Sequence, residues 1–305
     1  MSYPLSRLVR QLIAILAVLV MAVSVDARGR QAAPEPPLPS VSAPYRIAVY
    51  AHVPEPMKLS FAPDGTLYVG RQPGLRIHRV APRGQPVTEF GPPMTDPDAV
   101  LVDAAAHIGG HRFAVLVGGG GILAAIFADQ TASIVFDSGF ADVDDMKFDR
   151  QGRLVFSDDL PRVLSSSGGQ PTVLFETPAR PGSLAIDARN RIFVALGDGT
   201  IRVYGPDGRL LDSAFATGLA GLDTYLAFPD TASAARSAPL YVLSGTTLFR
   251  FDRQGRAMTI GTGFVPGPPS GTGFVFGPDG ALYVSDYYAN RILRITVRGR
   301  PWVQH

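Results

Sequence analysis

One unit recurs along this chain: a short apolar strand, a tight turn carrying Asp, Gly or Asn, a second strand rich in aromatic and β-branched residues, and a third strand dotted with arginine. Its clearest copy spans 273–295, with Phe274-Val275-Phe276, the turn Gly277-Pro278-Asp279-Gly280, Leu282-Tyr283-Val284 and Arg291-Ile292-Leu293-Arg294-Ile295. The last apolar residue before each turn is Phe61, Val102, Phe148, Ile186, Phe228 and Phe276, a spacing of roughly 40 to 48 residues that belongs to a β-propeller blade.

The turns Ala62-Pro63-Asp64-Gly65, Asp149-Arg150-Gln151-Gly152 and Asp187-Ala188-Arg189-Asn190 supply the left-handed or turn backbone that a hairpin needs. The strand before each turn is apolar at successive positions, as in Val100-Leu101-Val102 and Leu184-Ala185-Ile186, so it is covered on both faces. Third strands such as Ile201-Arg202-Val203-Tyr204 alternate, which leaves blade edges partly wet. The sixth copy reaches its third strand near Val297 with almost no chain left, while Tyr45-Arg46-Ile47-Ala48-Val49-Tyr50 is a strand without a blade. The expectation is therefore an all-β, six-bladed propeller whose ring an N-terminal strand closes, leaving no free sheet edge. Five blades plus an irregular insert is the alternative, since the second copy lacks an Asp-Gly turn and carries glycines at 118–121.

A repeat covering most of the 305 residues argues for one folded domain, at 45–305. Arg7 and Arg10 precede an apolar run at 12–25, and Val25-Asp26-Ala27 is a passable cleavage site, so 1–27 reads as a signal peptide and the protein as periplasmic or secreted. An uncleaved membrane anchor is the competing reading, although the run is short against the span of about 20 residues a bilayer requires. The Pro-, Ala- and Ser-rich segment within 28–44 reads as a disordered linker. With no cysteine, disulfides and thiolate metal sites are excluded. A formal net charge of +2 without a basic stripe points away from nucleic acid, and any membrane contact would run through the signal segment alone.

These residues resemble the six-bladed propellers of the NHL-repeat and gluconolactonase (senescence marker protein) type. The resemblance covers roughly 57–297; the stretch from Ser270 to Ile292 is similar to the NHL consensus, and Asp142-Val143-Asp144-Asp145-Met146-Lys147 is similar to a gluconolactonase blade. WD40 and kelch patterns fail, because Gly-His to Trp-Asp pairs are missing and the only tryptophan is Trp302.

In such a propeller the loops leading into the inner strands converge at one mouth of the central channel. Here they are Pro54-Glu55-Pro56, Asp96-Pro97-Asp98, Asp142-Val143-Asp144-Asp145, Arg180-Pro181-Gly182-Ser183, Gly221-Leu222-Asp223-Thr224-Tyr225 and Ser270-Gly271-Thr272. Oxygen-rich loops of this kind suit one hard divalent cation such as Ca²⁺. The resemblance implies a metal held by Glu, Asn and Asp that polarises a lactone carbonyl while an acid or base assists water. Glu55, Asp144 and Asp223 are the metal-ligand candidates, and Asp144, Asp145 and Lys147 the catalytic ones. The chain also departs from the family: its first Glu position falls on Met57, its Asn position on Gly182, and Asp223 lies one residue out of register with Phe228. Asp96 and Asp98 read as turn residues beside Pro97. Asp158, Asp159 and Asp286 read as turn or ion-pair residues with Arg162 and Arg291. His107 and His111 would form a metal pair only on a helix, and Ile108-Gly109-Gly110 predicts a turn there.

The expected function is an exported propeller that binds a small molecule, carbohydrate or peptide at the loop face, or a diverged hydrolase acting there. A metal-dependent lactonase is the first alternative. A quinoprotein sugar dehydrogenase is the second, suggested by the run from Leu59 to Gly70, although its chemistry would need a His that these loops do not supply.

Overall fold

The computed structural model describes residues 35–72, 76–108, 110, 112–229 and 238–298. The segment 1–27, His111, Trp302 and His305 lie outside the described residues. Six antiparallel sheets form six blades. The inner strands are Pro56–Phe61, Ala99–Asp103, Asp145–Phe148, Pro181–Ile186, Thr224–Ala227 and Phe274–Phe276. Each is followed outward by the next strands in sequence order.

The sixth blade takes its outer strand from Tyr45–His52, which pairs antiparallel with Arg291–Val297, Tyr45 opposite Val297 and His52 opposite Arg291. Ser40–Val41, read from sequence as part of a disordered linker, instead forms a short strand on Ala257–Thr262, the outer strand of the fifth blade. Ser42 Oγ donates to the Ile260 carbonyl at 3.0 Å and holds the same edge. Pairing at a sheet edge gives the backbone partners that Pro and Ser content alone does not reveal.

Apolar side chains sort by strand parity into the interfaces between blades. In the third blade Leu154 and Phe156 pack toward the second, and Val155 packs toward the fourth. In the fourth blade Ile192, Val194 and Leu196 face the third, while Phe193 and Ala195 face the fifth. Each of the six interfaces has its own buried cluster, so a strand with two dry faces reads as a continuous apolar run.

The second blade is regular. Gly119 pairs with Ile122, and Gly120 and Gly121 between them have φ of 60° and 76°. Two successive positive φ values make a primed hairpin turn, which glycine adopts without a steric penalty. The alternative of five blades and an insert is thereby removed. Three arginines answer to a recurring clamp: Asp149, Asp187 and Asp252 each accept backbone N–H groups of their own turn and the Nε of an arginine four residues on.

Candidate functional site at the channel mouth

Lys58 is the third residue of the first inner strand and only 7% exposed. Its ammonium makes no hydrogen bond or ion pair among the described residues and lies 5.2 Å from the centroid of the Tyr225 ring in the fifth blade. Burial drives its pKa down, Asp145 opposes that, Lys147 adds to it, and Asp144 and Asp98 oppose it more weakly. An amine this enclosed is displaced toward its neutral form.

Asp98, just before the second inner strand, is the counterpart. Its Oδ1 is buried without a partner. Burial pushes its pKa up to about 8, helped by Asp142 and Asp96 and opposed by Lys58. The sequence reading took Asp96 and Asp98 alike for turn residues. Asp96 fits that role, with φ of 53° and its Oδ2 accepting from Gln72 at 2.7 Å. Asp98 does not, because its carboxyl is turned inward.

Asp144 is clamped by Arg180, whose Nη2 donates to Oδ1 at 2.7 Å and whose Nε donates to Oδ2 at 3.3 Å. Burial still outweighs Arg180 and lifts the Asp144 pKa to about 6. Asp159 lies on the other side of the same guanidinium, while Arg162 is left to Asp158 and Arg291 to Asp286.

Asp145, proposed from sequence as catalytic, is a structural lace. It accepts from Ser183 Oγ at 3.0 Å and from the Leu184 N–H at 2.9 Å, both in the fourth blade. Ser183 Oγ in turn accepts from the Leu226 N–H at 3.1 Å in the fifth. Burial alone would raise the Asp145 pKa, but Lys147, Lys58 and the Leu184 N–H hold it below the usual carboxylate range. Lys147 pairs with Asp145 and also lines a cavity at the opposite end of the channel. Asp144, Asp145 and Lys147 therefore lie within four residues yet are divided among three jobs.

Glu55 has φ of 47°, takes the Asn290 side chain on its own N–H at 2.8 Å, and sets its carboxylate 3.5 Å from Arg71 Nε. Asp223 closes the short 3₁₀ turn Gly221–Asp223 with a buried, unpartnered Oδ1, and burial raises its pKa. The structure does not gather Glu55, Asp144 and Asp223: among the described residues no group of three or more His, Asp or Glu side chains is arranged to hold a metal ion. Arg71 and Arg180 already take two of the three carboxylates. The donor set does not fit a shared divalent ion.

Two further groups carry no assigned role. The Tyr225 hydroxyl and Ser270 Oγ are buried with no well-formed hydrogen bond, on residues 1% and 3% exposed, the hydroxyl lying beside Thr272 and Asp223. Gly182, where the resemblance implies an Asn ligand, faces this oxygen; a Cβ there would come within 3.0 Å of Ser270 Oγ. Together with Lys58 and Asp98 these groups form a polar lining with unused hydrogen-bonding capacity, which interiors seldom leave without purpose.

No protein-family profile and no curated protein sequence matches the chain. Solved structures do. A gluconolactonase from Xanthomonas campestris superposes with a TM-score of 0.66 at 16% identity, over 87% of this chain and 99% of that one. The fold is a six-bladed β-propeller. A streptogramin B lyase follows it at a TM-score of 0.58 and 12% identity, over 83% of this chain and 98% of that one. A virginiamycin B lyase from Staphylococcus aureus gives 0.53 at 11%, over 83% and 99%. At such identities the gluconolactonase-type likeness is one of architecture, and the site must be argued from its own residues.

Proposed function

We propose that this gluconolactonase-type propeller is an exported, diverged hydrolase that opens small cyclic esters at the leading-loop mouth, with Lys58 and Asp98 in place of a metal ion. The observation that carries the reading is the buried Lys58 amine, 5.2 Å from the centroid of the Tyr225 ring, together with the buried, unpartnered Asp98 Oδ1; burial pushes the amine toward neutrality and the carboxyl toward protonation. Environments that drive two titratable groups apart in this way mark acid and base assignments.

In this reading the Lys58 amine takes a proton from water as the water oxygen bonds to the lactone carbonyl carbon. The Tyr225 and Ser270 hydroxyls donate to the carbonyl oxygen as negative charge gathers there. Asp98 then gives its proton to the ring oxygen as the carbon–oxygen bond breaks, leaving a hydroxy acid, and proton exchange with solvent restores both groups. Asp144 and Arg180 shape the wall without joining the reaction.

The test is a panel of aldonolactones and simple aliphatic lactones assayed with wild type and Lys58→Met, each with and without chelator. Turnover that survives chelation and collapses in Lys58→Met is expected. Activity restored only by Ca²⁺, or untouched by the Lys58 substitution, would overturn the mechanism. Binding of a lactone by calorimetry with no turnover would assign the mouth to ligand binding instead. Export is checked by the mass of the mature N-terminus, expected near Arg28.

A further inference from the structure

The opposite mouth of the channel has a chemistry of its own. There the inner strands run out, and Phe61, Phe148, Ile186, Phe228 and Phe276 wall a cavity of about 610 Å³ with Lys147 at its side. That volume lies within the range of about 300–1,000 Å³ usual for small-molecule sites. Phe61, Phe148, Ile186 and Phe228 are only half-buried, so apolar ring and branched-chain surface faces the space. Lys58, Asp98, Tyr225 and Ser270 do not line it.

The charges around this cup are unbalanced in one direction. Asp149, Asp187 and Asp252 line it, but each is consumed by its turn clamp, with Arg153, Arg191 and Arg256 bonded at 2.9, 2.8 and 2.6 Å. Lys147 is neutralised by Asp145. Arg150 and Arg253 remain: both line the cavity, both are exposed, and neither guanidinium forms an ion pair among the described residues. One stands on the first turn of the third blade and the other on the last hairpin of the fifth. An apolar cup under two guanidinium groups that have no ion pair among the described residues is complementary to a molecule with an apolar body and an anionic head, since guanidinium recognises carboxylate or sulfonate through paired N–H donors.

We infer that this far mouth is a second binding site, for a small amphipathic anion whose acyl or aromatic body sits against Phe148, Phe228 and Phe276 and whose carboxylate meets Arg150 and Arg253. The site stands apart from the hydrolytic reading and carries no acid–base pair of its own. The leading-loop mouth, crowded with carboxylates, would repel the same ligand.

Isothermal titration with decanoate, using the full-length protein, tests the assignment. One-to-one binding is expected. It should weaken by about tenfold or more in Arg150→Gln/Arg253→Gln, and by a similar factor when decanol replaces decanoate. Both arginines are exposed, so the double variant should keep the wild-type melting temperature, and lactone turnover should be unaltered in it. A second variant, Phe228→Ala, removes part of the apolar wall and should also weaken binding. Absence of saturable binding, equal affinity for decanol, or binding unchanged in the double arginine variant would each overturn the inference. Binding lost in Lys58→Met and kept in the arginine variant would place the anion at the other mouth, and would overturn it equally.

Discussion

The ammonium of Lys58 lies 5.2 Å from the centre of the Tyr225 ring, although the two residues belong to the first and fifth blades and those blades share no interface. The lysine therefore reaches across the channel. A cation over a ring is worth about 0.5–1 kcal/mol when exposed and about 2 or more when desolvated. That attraction offsets only part of the cost of burying the charge.

Lys58→Met should separate activity from stability. Removing a general base costs about 10²- to 10⁴-fold in turnover. Replacing a buried amine that has no hydrogen bond or ion pair by an apolar chain of similar length should raise the melting temperature by about 2–4 °C, the shift that roughly 1 kcal/mol produces in a domain of this size. Thermal melts and lactone kinetics on the same preparation check both halves.

Asp98 gives a pH signature. Its folded pKa of about 8 lies above the ordinary carboxylate value of 3.8, so the folded state binds the extra proton. The associated stability is complete below the unfolded value and drains away as pH rises toward 8. Asp144, lifted to about 6, works in the same direction over the lower part of that window. Lys58, whose pKa is lowered, works the other way, so the diagnostic quantity is the difference between wild type and Asp98→Asn. Urea denaturation from pH 4.5 to 8.5 should show the variant gaining on wild type throughout, by the largest margin at pH 8.5.

Asp145→Ala should cost about 2–3 kcal/mol in the same denaturation experiment, because it strands the Leu184 N–H and the Lys147 ammonium together. Ser183→Ala, which removes one hydroxyl from the lace between the third and fifth blades, should cost about 1 kcal/mol. An Asp145 variant as stable as wild type would contradict the lacing role.

Calorimetric titration with Ca²⁺, Mn²⁺ and Zn²⁺ should give no saturable heat, and chelator should leave the melting temperature unchanged. The Arg180 guanidinium already takes both oxygens of Asp144. A stoichiometric ion bound below about 10 μM, worth more than roughly 7 kcal/mol, would show that these side chains rearrange around a metal.

The blade pattern was legible because it is local. Phe61, Phe148 and Phe276 end their inner strands as the repeat implies, and the Asp64-Gly65 and Asp279-Gly280 turns sit where their residue types place them. Asp144 and Asp223 stand in the leading loops, and so do Asp98, Tyr225 and Ser270, to which sequence reasoning assigned no chemistry. Lys58 was hidden inside a strand, Pro56–Phe61, and nothing nearby in sequence says that its side chain reaches the Tyr225 ring in the fifth blade. Lys147 stands two residues further along its inner strand than Asp145, with which it pairs, and also lines the far cavity. What the repeat does record, in retrospect, is the Asp-x-x-x-Arg spacing of 149–153, 187–191 and 252–256, which accounts for three of the arginines without any ligand.

The pairing of Tyr45–His52 with Arg291–Val297 sets an order of events during synthesis. An eight-residue strand that emerges early from the ribosome finds its hydrogen-bonding partner only when nearly the last residues of the domain have been made. Every nascent chain must carry that strand unpaired through the translation of five blades, and no product halted upstream of residue 291 contains a finished sixth sheet.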